Sequence, residues 1–298
     1  MKDYMKKMIT AVLFLLIIAT LPTMTWAEVE EQKPAVPEQK TVEQKQEEDK
    51  VTGEVAASIL SAYIWRGQEL SRDSVVIQPS ATVSYRGFTA NIWGNLDTDP
   101  YSVTDGEYSS NYTETDVTLS YTHKFGIVSA GAGYIYYGLA AATPGGTDLL
   151  DSQEIFVSLG LDTILAPTLT VYKEIDHYHQ WYFLLGVSHV VEFNKMISLK
   201  LAATASYLVS TDETTYAEYD DNAAPTGDKF SNLHDGTLTV SLPIKATSYI
   251  TLTPTVSYVF PLSDDAKNEM KGRGLRGVAP SDRDSSFLYC GVAVSFAF

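Results

Sequence analysis

From residue 53 to residue 298 the chain alternates apolar and polar side chains in segments of about ten residues, the period of a β-strand and not that of a helix. Val75, Ile77, Ala81, Val83 and Tyr85 alternate with Gln78, Ser80, Thr82 and Ser84. Val117, Leu119, Tyr121 and Phe125 alternate with Asp116, Thr118, Ser120, Thr122 and Lys124, and Ile250, Leu252, Val256, Tyr258 and Phe260 with Thr251, Thr253, Thr255 and Ser257. Each segment therefore has one greasy face and one rich in hydroxyls. Strands are expected at 53–66, 75–85, 88–97, 113–125, 127–137, 152–162, 167–176, 180–191, 197–210, 236–244, 249–260 and 286–298, which makes twelve. Ten or fourteen result if one segment, above all 167–176, is misread.

A soluble sandwich alternates too, so the period alone leaves open whether water or lipid meets the greasy face. Three features decide for lipid. Short turns at 86–87, 126, 163–167, 192–196 and 245–248 interleave with mostly longer polar loops at 67–74, 98–113, 138–151, 177–179, 209–235 and 261–285, the pattern of an outer-membrane barrel. Aromatic pairs stand near strand ends: Tyr63 and Trp65, Tyr136 and Tyr137, Trp181 and Tyr182, Tyr258 and Phe260. Of these, Tyr63, Trp65, Trp181 and Tyr258 are expected as anchors at headgroup depth. Finally, Val292, Val294, Phe296 and Phe298 share one face and Phe298 is the last residue. An apolar final strand is an aggregation liability in water, whereas here it can pair with the first strand and close a barrel. Its aromatic terminus resembles the signal read by the barrel-insertion machinery of bacterial outer membranes. The expected fold is an all-β, transmembrane, antiparallel up-and-down barrel with both termini on the periplasmic side.

The first 27 residues carry Lys2, Lys6 and Lys7, an apolar run from Met8 to Leu21, and Thr25-Trp26-Ala27. They read as a cleaved secretory signal, since the run falls short of the roughly 20 residues a spanning helix needs. Residues 28–52 repeat Glu-Gln-Lys at 31–33, 38–40 and 43–45, with Pro34 and Pro37 and no aromatic residue. Such a stretch cannot offset its ordering entropy and reads as a disordered acidic periplasmic tether. The barrel domain is then 53–298. With 37 acidic against 21 basic residues and a net charge of −16, nucleic acid is excluded as a partner. The single cysteine, Cys290, excludes an internal disulfide.

With lipid outside, the lumen is lined by Ser, Thr, Gly and Asn. Its charges are Glu54, Arg66, Asp97, Asp116, Lys124, Glu154, Glu174, Asp176 and Lys200. Arg66 is expected to brace the barrel against Asp97 or Glu54. About twelve strands enclose a narrow or plugged lumen, and acidic loops around its mouth concentrate cations, so a weak cation preference is expected. The basic stretch Lys267, Lys271, Arg273 and Arg276 can fold inward as a constriction or outward onto acidic polysaccharide.

No His stands two residues before a Ser, the economical nucleophile–base spacing on a strand, so an enzyme is not expected. No cofactor is implied. His177 and His179, beside Glu174 and Asp176, are the one weak constellation for a metal.

Tyr63-Ile64-Trp65-Arg66-Gly67, together with Ile92-Trp93-Gly94-Asn95, resembles the TorF-type porins. The similarity covers about the first three strands and the plan of signal, tether and barrel. It implies a passive or substrate-preferring channel in the bacterial outer membrane and carries over no catalytic residue. The function expected is diffusion of small polar solutes, with outer-membrane lipid and lipopolysaccharide as surroundings. A non-conducting structural or adhesive barrel, and then a lipid-modifying barrel hydrolase, are the other readings. Solute identity and oligomeric state are not written in the sequence.

Overall fold

A computed structural model describes residues 50–71, 74–100, 111–140, 151–273 and 284–298. The expected signal peptide and all but the end of the tether lie outside the described residues, as does Arg276. Twelve long strands form one antiparallel sheet that closes on itself. They are β1 (Thr52–Leu60), β2 (Val76–Tyr85), β3 (Phe88–Asp97), β4 (Tyr112–Phe125), β5 (Val128–Leu139) and β6 (Ser152–Leu161). There follow β7 (Thr168–Glu174), β8 (Gln180–Glu192), β9 (Ser198–Ser210), β10 (Ser231–Ser241), β11 (Ile250–Pro261) and β12 (Phe287–Ala297). Each pairs with its successor, and a two-residue strand at Ile244–Lys245 adds to the edge of β11 beside the β10–β11 turn.

The circle closes between β12 and β1, in register from Glu54↔Ala297 to Leu60↔Gly291. Gly53 N donates to Phe298 O at 2.8 Å and Phe298 N returns a bond to Gly53 O at 2.9 Å. The Phe298 ring packs over Gly53, where a Cβ would stand. Closure leaves no unpaired edge, which is what a sheet needs in a medium without hydrogen-bonding partners.

The outer face inverts the rule of soluble proteins. Val55, Ile59, Ile92, Leu119, Ile155, Val157, Leu159, Leu185, Leu238 and Val240 are all exposed on it. A belt of this size is stable only under a lipid cover. At the end bearing the short turns, Tyr85, Phe88, Phe125, Phe193, Tyr249 and Phe298 are exposed, and at the loop end so are Tyr112, Trp181, Tyr207 and Tyr258. Lys173 Nζ stands 5.2 Å from the Trp181 ring. Turn chemistry fixes the register: Arg86 and Gly87 hold φ of 50° and 85°, the left-handed pair of a type I′ hairpin between β2 and β3.

The structure departs from the sequence-based expectation in three places. β1 ends at Leu60 and not at 66; beyond it the chain folds inward as a hairpin of Ile64–Trp65 against Gln68–Glu69. Tyr63 and Trp65 are therefore not interface anchors: Tyr63 is buried against Trp93 with ring centroids 5.6 Å apart, and Trp65 meets Tyr137 at 6.3 Å. β10 starts at Ser231 and not at 236. One extra residue on β10 faces β9 between the pairs Tyr207↔Leu233 and Ala205↔Gly236, and this bulge turns both His234 and Asp235 inward. The third departure is a helix, α1 (Asp264–Arg273), inside the last long loop. Ser263 caps it, accepting from Ala266 N at 3.1 Å, with Asp264 and Asp265 in the first turn and Lys271 and Arg273 in the last, the polarity a helix dipole favours.

Candidate functional site: the plugged mouth

The fully buried apolar side chains gather inside the barrel at its loop end. Tyr182 of β8 and Leu208 of β9 pack with Tyr216 and Phe230 of the β9–β10 loop and with Ala266 of α1. The mouth thus holds a small core built from inserts, and three of them interlock there.

The first insert is the hairpin after β1. Its tip, Arg66-Gly67, has φ of 45° and 73°, again a type I′ turn, and Tyr63 N donates to Ser71 Oγ at 2.9 Å to tie its base. The tip drives Arg66 against the wall. Both terminal guanidinium nitrogens donate to Glu154 of β6 at 2.7 Å, and Tyr137 of β5 donates its hydroxyl to the same carboxylate at 2.9 Å. The Arg66 Cζ lies 4.2 Å from the Tyr182 ring centroid, 4.6 Å from Trp65 and 5.1 Å from Tyr172. Burial opposes the charge of Arg66, but the neighbouring Glu154 outweighs it and holds the guanidinium above its ordinary pKa. The partner expected for Arg66 was Asp97 or Glu54; the structure gives Glu154, because the inward hairpin carries the residue across the lumen.

The second insert is α1. Ala266, Glu269 and Met270 form its buried stripe, and Gly67 abuts the Met270 side chain. Glu269 Oε2 accepts from Gln68 Nε2 of the hairpin at 2.9 Å and faces His234 Nε2 at 3.0 Å. Arg273 Nε pairs with Glu269 Oε1 at 3.1 Å. His234 Nδ1 faces Asp235 Oδ1 at 2.9 Å, and that oxygen also accepts from Tyr182 and Ser206 at 2.9 and 2.7 Å. With a carboxylate at each ring nitrogen, His234 satisfies both only as the doubly protonated imidazolium.

The third insert is the loop from Thr211 to Phe230, which carries a small hairpin, Ala217–Tyr219 against Pro225–Lys229. Arg273 of α1 donates to Thr215 O at 3.0 Å and lies 3.9 Å from the Tyr216 ring. Burial, with Glu269 beside it, pushes the Tyr216 phenol well above its ordinary pKa, so it stays neutral.

Of the lumen and mouth residues read from the sequence, Arg66 and Glu154 meet directly. Asp97 accepts from Ser74 Oγ and from Asp99 N, holding loop backbone. Asp116 faces the lumen opposite Tyr137, with Oδ1 buried and without a hydrogen-bond partner. Glu174 takes four successive backbone N–H groups, from Asp176 to His179, at 2.5–3.0 Å, so its oxygens are spent on the loop. That removes the nearest carboxylate from the His177 and His179 metal reading, and among the described residues no group of three or more metal-ligating side chains forms. Asp176 lies exposed on the rim, accepting from Gln153 at 2.9 Å. Lys124 and Lys200 stand near the turn end, Lys124 bonded to Asp162 at 2.6 Å and Lys200 opposite Ser241. His234, Asp235, Glu269 and Tyr182 carry no spacing signal, since a bulge and two long loops bring them together.

Toward the turn end the inward positions Thr82, Ser84, Thr89, Asn91, Thr118 and Ser120 are half-exposed, and Lys200 is exposed. The lumen there is open to water while the mouth is filled.

The sequence matches no family model and no curated protein. Among solved structures, the NanC porin superposes with a TM-score of 0.50 at 13% identity, over 82% of this chain and 98% of that one. The fold is that of a closed twelve-stranded outer-membrane β-barrel. The KdgM porin gives a TM-score of 0.47 at 11% identity, over 82% and 99% of the two chains. LpxR from Salmonella typhimurium gives 0.46 at 7% identity, over 82% and 99%. At such identities the likeness concerns the barrel, and what the barrel does must come from its own lumen.

Proposed function

We propose that this chain is a narrow outer-membrane channel for small polar solutes, with a preference for cations. The observation that carries the reading is the sign of the charge along the lumen. The watery half is lined by hydroxyls and amides, with Lys200 exposed among them and Lys124 paired to Asp162. The filled half holds Glu154, Asp235 and Glu269 against Arg66, His234 and Arg273, and adds the buried Asp97. A water-excluded entrance with surplus carboxylate concentrates cations and repels anions. The TorF-type resemblance and the apolar last strand support this reading, in which outer-membrane lipid and lipopolysaccharide surround the barrel.

We assign no catalysis to the buried histidine. Both nitrogens of His234 face carboxylates, and the hydroxyl of Ser206 donates to Asp235 and not to the imidazole, so His234 has no free nitrogen with which to activate a nucleophile.

A second reading, a non-conducting structural barrel, is favoured by the depth at which the plug is pinned. Single-channel recording of the refolded barrel in a planar bilayer, with the reversal potential taken across a salt gradient, separates the two. Discrete ohmic steps with cation selectivity are expected. Silence from protein shown to be folded and inserted overturns the channel reading in favour of the structural one.

A further inference from the structure

We propose that the wall around Glu154 is a binding subsite for small organic cations bearing a guanidinium or primary ammonium group, and that Arg66 fills it as a tethered ligand. The inference rests on the channel reading and names the solute class of the same lumen.

The elements of the subsite belong to the wall and not to the insert. Glu154 on β6 is 1% exposed and offers both oxygens to one planar cation. Tyr137 on β5 fixes that carboxylate from the side at 2.9 Å. Tyr182 on β8 and Tyr172 on β7 present rings 4.2 and 5.1 Å from the cation's central carbon. A carboxylate in bidentate geometry, with aromatic rings packed around the same cation, is the chemistry by which proteins recognise guanidinium and ammonium groups. Asp116, next to Tyr137 in the cross-strand pairing, keeps a carboxylate oxygen without a hydrogen-bond partner on the same side of the lumen. A ligand already seated in the subsite, the side chain of Arg66, shows the size and charge it accepts.

What fills the subsite arrives on a two-residue turn. Of the three rings around the guanidinium, only Trp65 comes with the hairpin. Displacing the tip therefore leaves the carboxylate and both tyrosines in place, and a free cation can take the position that Arg66 holds. Arg66 then sets specificity by competition: solutes that bind Glu154 as well as a guanidinium does open their own path, and neutral or anionic solutes do not.

The test uses the full chain, refolded in detergent, with methylguanidinium as the probe. Arg66→Ala is expected to lower the melting temperature, and millimolar methylguanidinium to restore several degrees of it beyond the effect of sodium chloride at equal ionic strength. The double variant Arg66→Ala with Glu154→Gln is expected to gain nothing. If Arg66→Ala does not fold, Arg66→Gln takes its place in the same titration. In bilayers, the wild type is expected to pass methylguanidinium over sodium by several-fold more than their free mobilities predict, and Glu154→Gln to return that ratio to the mobility value. A folded Arg66 variant that the probe does not stabilise overturns the subsite, as does a conducting wild type without the preference. Rescue of the Arg66 variant beside a silent wild type keeps the subsite and overturns the channel.

Discussion

Gly67 is held twice over. Its φ of 73° is a conformation L side chains resist, and Met270 of α1 occupies the space a Cβ needs. Gly126, with φ of 64° and open space around it, carries only the first constraint. Replacing Gly126 by Ala should cost about 1–2 kcal/mol of left-handed strain, whereas Gly67→Ala should cost more and also shift the plug. Thermal melts of both variants beside their bilayer conductance check this: a Gly67 variant that conducts as the wild type does removes the hairpin from the pore. For Glu154, neutralisation leaves a buried guanidinium without its counter-charge, a loss of about 3–5 kcal/mol, readable as a fall in melting temperature. A Glu154→Gln barrel as stable as the wild type would refute the pairing. The sequence made an inward Arg66 legible, since a charge beside Trp65 has few other places to go. It hid the partner, because Glu154 is 88 residues away and nothing local joins them.

At the scale of elements, the charged contacts of α1 converge on one side chain. Glu269 meets the hairpin at Gln68, the wall at His234 and its own last turn at Arg273. Glu269→Gln keeps the shape and removes the charge that all three face. The expected result is a plug that leaves its seat more often, seen as longer or larger openings in single-channel records while the barrel still migrates as a folded species. Unchanged gating in a folded Glu269→Gln variant would mean that α1 does not control the path. Strand positions were legible because alternation is a local property repeated ten residues at a time. The inward hairpin was not, since Ala62-Tyr63-Ile64-Trp65 is an apolar run that could extend a strand as well as turn inward. The start of β10 was hidden by its bulge, where His234 and Asp235 point the same way and break the period. Helix α1 was hidden by composition: Ala266, Glu269 and Met270 share a helical face, but a charged residue in the middle of that face masks the pattern.

At the scale of the whole molecule, the seam between β1 and β12 depends on the final residue. Deleting Phe298 removes both of its backbone bonds with Gly53, about 1–3 kcal/mol at the usual net worth of a hydrogen bond, and also the ring over Gly53. Phe298→Ala removes the ring alone. Refolding into lipid vesicles, followed by the heat-modifiable shift on a gel, should be slower and less complete for the deletion than for Phe298→Ala. Equal yields from deletion and wild type would show that closure does not need the terminal residue. The closed, lipid-facing barrel was the most legible level, because it follows from a period, an even count and a terminal aromatic. The plug was the least legible, because it is made of loops that meet only in three dimensions. Those loops come from 61–71, 211–230 and 264–273, and the hairpin's seat at Glu154 lies across the lumen from its own root. The stopper is thus tied to separate parts of the cylinder, from the root of β1 through Arg66 to β6 and from α1 through Glu269 to β10. It works as a spoke does in a wheel, holding distant parts of the wall at a set spacing.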